Sequence, residues 1–365
     1  MIISAIAPKI FDNSKNFASN SIANSGVPNF HKIQKSPTFF SPNFRASTSA
    51  GNPLRKLKDI ICPYFGVKMI TSAELPRIEA KIDRCTNVTD IVKTLTPYKK
   101  YMQKVEKKIF KMFEAYSKFS PNSNLQNILR REYSQALVKL KLEEFNVLDD
   151  VDKISLKLSP ELALMVHDKT TQCRQVILDS NPQNTFKRKT LLEYLDETKP
   201  KRAEKKAFEE LKDRAEYLPT SSTSENAFIV KYAERSQEEI GKRLVRASRA
   251  TIEHVKPNSK NGQNAISNFM LTSANANSMR SNMPLSKFIN MFPNIPKNCQ
   301  KYIEQIISIL KNGGLRGNET YPFKIKKTLQ KESGGRINLD LSSYGCTEKQ
   351  ALARTKKYWD NYRKR

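Results

Sequence analysis

The chain has 365 residues, with 64 lysines and arginines against 36 aspartates and glutamates, a formal charge of +28. Such a length allows two or three domains at roughly 100–200 residues each. No stretch approaches the ~18 consecutive apolar residues that a membrane-spanning helix needs, which excludes an integral membrane protein of that kind. The five cysteines are scattered and odd in number, so they make no disulfide framework and point to a reducing compartment, the cytoplasm. The cationic surplus favours a polyanionic partner, of which nucleic acid is the commonest.

Residues 1–57 are rich in Ser and Asn, interrupted by Pro8, Pro28, Pro37, Pro42 and Pro53, with Asp12 the only acid. No amphipathic period persists there, so the segment reads as a disordered basic tail. Its apolar opening lacks the features of a signal peptide, although the Ser/Asn-rich leader is compatible with a non-classical export signal. Residues 58–73 differ: Ile60, Ile61, Tyr64, Phe65, Val67, Met69 and Ile70 flank Gly66, a pattern of two short strands around a tight turn.

From 74 to 248 the apolar spacing is helical. Tyr101, Val105, Ile109, Met112 and Phe113 mark one helix, and Leu129, Tyr133, Leu137 and Leu140 mark another that ends before Asp149. Ser159-Pro160-Glu161 starts a third, with Ser as cap and Pro in the first turn. Further helices follow over 185–196, 201–216 and 227–248. After residue 249 the chain is rich in loops and Asn, then helical over 297–311. It is Gly-broken around Gly313, Gly314 and Gly317, and closes in a basic, partly helical segment containing Trp359.

The segment that carries chemistry is 251–285, TIEHVKPNSKNGQNAISNFMLTSANANSMRSNMPL. Glu253 and His254 lie side by side in a β-like run. Neighbours on a strand face opposite ways, so a turn or twist is needed to bring both into one site. Asn268, Asn277, Arg280 and Asn282 follow. Carboxylate and amide oxygens are hard ligands suited to Mg²⁺, and a neutral imidazole can accept a proton from water.

The ordered string Glu253-His254-Val-Lys-Pro257, Gly262-Gln-Asn264, Asn268-Phe-Met-Leu271 and Asn277-Ser-Met-Arg280-Ser-Asn282 resembles the HNH endonucleases, or ββα-metal nucleases. Many members carry a structural zinc held by two Cys-x-x-Cys knuckles. Cys62-Pro63-Tyr64-Phe65-Gly66 and Leu271-Thr-Ser273-Ala-Asn-Ala276-Asn277 keep the frame of those knuckles with one cysteine of four. Tetrahedral zinc needs four ligands, so no structural zinc is expected, and Phe65 and its neighbours are expected to pack apolarly instead.

The resemblance implies an α+β, predominantly helical chain. A small ββα-metal domain would be built from a first hairpin, 58–73, and a core, 249–295, split by a helical insertion over 74–248 and followed by a mixed basic segment over 296–365. It further implies that His254 is the general base and that Asn268 orients it. Glu253 and Asn277 would hold one Mg²⁺ or Mn²⁺, while Lys256, Arg280 and Asn282 would contact or support the substrate. The expected activity is hydrolysis of phosphodiester bonds in nucleic acid, DNA by family habit, under the control of an unidentified regulator or inhibitor. Two alternatives from other classes are a catalytically inactive scaffold that only binds nucleic acid, and a secreted or defence effector.

Overall fold

The computed structural model describes residues 52–179 and 186–364. Their regular structure is fourteen α-helices and a two-stranded antiparallel sheet, so the predominantly helical α+β class expected from the sequence holds. Residues 1–51 of the expected tail lie outside the described residues. Residues 52–57 are not tail: Pro53–Lys56 form a 3₁₀ turn capped by the Asn52 side chain, and Leu54 is fully buried.

The first hairpin is held by single bridges rather than extended strands. Ile61 pairs antiparallel with Lys68, and the Cys62 N–H donates to Val67 O at 2.7 Å. Gly66 turns the chain at φ +67°, a conformation that costs a residue with a Cβ. Ile70 then bridges to Arg249, so the hairpin reaches the start of the sheet 179 positions later in the chain, counting from 70 to 249. No described helix is long and apolar enough to cross a membrane.

Between them the described residues form nine helices: α1 (Leu75–Ile82), α2 (Val88–Leu95), α3 (Lys104–Phe119), α4 (Leu125–Ser155), α5 (Pro160–Asp179), α6 (Phe186–Glu197), α7 (Lys205–Ala215), α8 (Glu225–Tyr232) and α9 (Gln237–Arg246). Helix α4 does not stop before Asp149 as expected. Asp149 and Asp152 pair with Arg174 of α5, and Asp150 with Arg214 of α7, so the acids that look like a terminus are side chains facing neighbouring helices. Helix α4 also bridges two apolar cores. It buries Leu125, Ile128 and Leu129 with α1–α3, α8 and α9, and Val147, Leu148 and Val151 with α5–α7. The span 227–248 is two helices, broken where Ser236 caps α9.

A third core gathers residues 54–69 with everything from β1 onward: β1 (Ala250–His254), β2 (Phe269–Ser273), α10 (Ala274–Arg280), α11 (Leu285–Met291), α12 (Ile295–Lys311), α13 (Tyr321–Glu332) and α14 (Glu348–Arg363). β1 and β2 pair with Ile252 opposite Leu271 and His254 opposite Phe269. Burying Ile252, Phe269 and Leu271 contributes about 1.5–3 kcal/mol each. The outer edge of β2 is covered by two tyrosines: Tyr302 Oη accepts the Leu271 N–H at 3.3 Å, and Tyr321 Oη donates to Phe269 O at 2.9 Å. Gln103, buried ahead of α3, ties the helical block to this sheet by donating to Ala247 O and Ser273 Oγ, both at 3.1 Å.

Candidate active site

β1, β2 and α10 follow one another directly, and the loop between the strands is compact. Gly262 sits so close to the Lys256 carbonyl that a Cβ there would overlap it, which explains the glycine. Asn268, at the loop's end, is buried and clamps it. Its Oδ1 accepts the Lys256 N–H at 2.8 Å, while its Nδ2 donates to Lys256 O and Gln263 O, both at 3.0 Å.

This arrangement corrects the role expected of Asn268. The amide that reaches the imidazole belongs to Asn264, whose Oδ1 lies 2.8 Å from His254 Nε2. An amide oxygen only accepts, so in the neutral ring Nε2 carries the proton and Nδ1 keeps the lone pair. Nδ1 makes no hydrogen bond to a described residue. The ring is half-buried and stands edge-on to Phe269, centroids 4.8 Å apart. Asn264 stands within the matched string, but an exposed loop amide carries no signal of its function without the fold.

As strand alternation requires, Glu253 faces the other way, toward α10. There it meets Arg280, which is only 1% exposed. The guanidinium donates from Nη1 to Glu253 Oε1, to His254 O at 2.8 Å and to Tyr64 Oη at 3.3 Å, and from Nη2 to Val255 O at 2.5 Å. Arg280 is therefore not the phosphate contact expected from the sequence, because it is sealed under the sheet with both terminal nitrogens committed. It pins the last carbonyls of β1 and so sets the direction in which the chain leaves the strand. Burial pushes the Glu253 carboxyl up to about 7, and the facing Arg280 charge opposes that rise.

Asn277 projects from the same helix onto the same side of β1, where its Nδ2 donates to Thr251 Oγ1 and Ile252 O, both at 3.3 Å. Asn282 accepts from Ser259 Oγ at 3.0 Å, joining the turn after α10 to the loop. Lys256 is half-buried, its backbone held by Asn268 and its ammonium without an ion-pair partner among the described residues.

Two oxygens on the α10 side have no hydrogen bond to a described residue, Glu253 Oε2 and Asn277 Oδ1. They are hard donors of the kind that Mg²⁺ accepts beside water and phosphate oxygens. Among the described residues, no three His, Cys, Asp or Glu side chains gather into a further metal set. The donor types suit such an ion, whose hold would be weakened by the Arg280 charge that already balances Glu253. Zinc does not fit the knuckle positions. Cys62 Sγ accepts the Ser273 N–H at 3.4 Å, Ser273 Oγ caps α10 on the Ala276 N–H at 3.3 Å, and Ala276 is fully buried. Phe65 instead packs on Phe292 and Phe288, with centroids at 5.1 and 6.3 Å. Burial also pushes the Cys62 thiol up, away from the thiolate that a metal takes. Comparison with protein-family models, curated proteins and solved structures finds no match to this chain.

Proposed function

We propose that this chain is an HNH-type endonuclease that hydrolyses phosphodiester bonds of nucleic acid, DNA by preference, in a divalent-metal-dependent reaction. The observation that carries the proposal is the half-buried His254 at the end of β1, its Nε2 engaged by Asn264 and its Nδ1 available, within consecutive β1, β2 and α10. The meeting of Cys62 with Ser273 also supports a small domain divided by the helical block, because it joins the two segments that resemble knuckle remnants.

In this mechanism His254 Nδ1 takes a proton from water as the water oxygen bonds to phosphorus. The bond from phosphorus to the 3′ oxygen breaks, its electron pair leaving with that oxygen, which takes a proton from solvent water, so that the products are a 5′-phosphate and a 3′-hydroxyl. Glu253 and Asn277 would hold the divalent ion, which supplies electrostatic stabilisation of the scissile phosphate and the departing oxygen. Arg280 acts as a positioning residue through the backbone of His254 and Val255. Lys256 would meet a phosphate, and the basic helices would add contacts without sequence readout.

The test is cleavage of supercoiled plasmid and single-stranded DNA with and without Mg²⁺ or Mn²⁺. Metal-dependent cutting that His254→Ala abolishes is expected, and cutting that persists in His254→Ala refutes the assignment of the base. The pairing of Glu253 with Arg280 favours a second reading, a scaffold that binds nucleic acid without cutting it. Calorimetric titration with Mn²⁺ separates the two, because only the nuclease should show a site lost in Asn277→Ala.

A further inference from the structure

The third core also borders a cleft of about 530 Å³ between the end of α12, the 313–319 loop and α14. Lys311, Arg316 and Arg354 line it together with Tyr344 and Tyr358, against a single carboxylate, Glu319. That carboxylate is occupied in holding the loop to α14, since its Oε1 accepts the Gly317 N–H at 3.1 Å and its Oε2 the Thr355 hydroxyl at 2.9 Å. None of the three cations forms an ion pair with a described residue. The Arg316 Nε only donates to Gly313 O, at 3.1 Å.

An aromatic stripe runs out of this cleft along α14. Arg354, Tyr358 and Tyr362 recur every four residues and share one helix face. The rings of Tyr358 and Tyr362 lie within 18° of parallel, with centroids 6.4 Å apart. Trp359 stands edge-on to both, at 5.3 and 5.7 Å, its indole N–H anchored on Gly317 O at 3.1 Å. The anchoring hydrogen bond fixes the ring while its surface stays open. Trp359 is 43% and Tyr362 63% exposed, with Lys356, Lys357 and Arg363 exposed around them.

We propose that this cleft and stripe dock a single-stranded segment of nucleic acid, a phosphate among Lys311, Arg316 and Arg354 and successive bases against Tyr358 and Tyr362. Charge complementarity selects a polyanion. The exposed rings of Trp359 and Tyr362 select one whose bases are unstacked, since in a duplex the base faces are already covered by their neighbours. An acidic peptide would satisfy the cations but leave the aromatic stripe without a matching surface. The inference shares with the proposed function the binding of nucleic acid, but does not need cleavage.

Trp359 is the chain's only tryptophan, so its emission reports on this surface alone. The full chain in EDTA at low salt is titrated with oligothymidylate of about 12 nucleotides, a length within the usual span of such sites. Binding is followed in parallel by the anisotropy of a labelled strand. A saturable change in Trp359 emission is expected. Tyr362→Ala and Arg354→Gln, both at exposed positions, should each weaken binding about tenfold with far-UV circular dichroism unchanged, and a duplex of the same length should bind less tightly. Anisotropy that rises while Trp359 emission stays constant, affinity unchanged in both variants, or equal affinity for the duplex would overturn the proposal. Binding with the expected emission change in a chain that never cuts DNA leaves this site standing and refutes the nuclease. Absence of any binding refutes this site, while the nuclease stands or falls by the separate metal-dependent cleavage assay.

Discussion

The pairing of Arg280 with Glu253 makes the stability of the site core depend on pH in a defined direction. The Glu253 carboxyl titrates at about 7 in the folded chain, against an ordinary value of 4.5. Between those values the folded state binds more protons than the unfolded one, so this group makes stability fall as pH rises from about 4.5 to about 7 and level off above. That difference corresponds to at most about 3 kcal/mol. Arg280→Met removes the charge that opposes the rise and orphans the His254 and Val255 carbonyls. At pH 8, where Glu253 is ionised, the variant should lose about 3–5 kcal/mol, the cost of leaving one member of a buried pair uncompensated. At pH 5 the carboxyl is neutral in both proteins, and only the carbonyl donors are missing, about 1–3 kcal/mol. Urea unfolding at both pH values measures this, with hydrogen exchange of the β1 and β2 amides reading the site core separately from the other two cores. Glu253→Gln/Arg280→Met should recover most of the loss at pH 8 and remove the difference between pH values. A loss below about 1 kcal/mol at pH 8, or equal losses at pH 5 and pH 8, would refute the buried pair.

The remaining expectations concern the loop, the base and the lost knuckles. His254→Ala should reduce cleavage by about 10²–10⁴-fold, the usual worth of a general base, with little change in melting temperature; a stability loss above about 2 kcal/mol would give the ring a packing role instead. Asn264→Ala should lower the cleavage rate and alter its pH profile while leaving DNA affinity unchanged, and an unaltered profile would separate Asn264 from the base. Asn268→Ala leaves three backbone groups of the loop unpaired, so hydrogen exchange over 255–267 should rise selectively, with about 1–3 kcal/mol lost per sealed group; uniform exchange would deny it the clamp. Adding Phe65→Cys, Ser273→Cys and Ala276→Cys to the native Cys62 should create a site that retains zinc through gel filtration, and its failure to do so would count against the knuckle resemblance.

What the sequence discloses here is local order, and what it hides is burial. The Gly66 turn, the start of α5 at Ser159-Pro160 and the succession of β1, β2 and α10 are written in neighbouring residues, because turns, caps and alternation are short-range physics. The end of α4 is misread from sequence because acids resemble a terminus when nothing reveals that Arg174 and Arg214 face them from other helices.

The site itself divides along the same line. Glu253, His254 and Asn277 are recognisable from type and spacing, yet the contacts that would make them a site come from elsewhere. α10 is short and polar in composition, with Asn275, Asn277 and Arg280 all buried. Its burial is set by β1, Tyr64 and the loop rather than by any apolar face. An arginine in such a segment looks like a solvated cation, and only the fold shows that its terminal nitrogens are spent on one carboxylate, one phenol and two carbonyls, with Nε left over. That difference decides how the site can work. An exposed Arg280 would have gripped substrate directly. A sealed one fixes the exit of β1 and balances the charge of the acid beside it, so in the proposed nuclease the pull on a phosphate would have to come from a divalent ion and from other cations such as Lys256, not from Arg280.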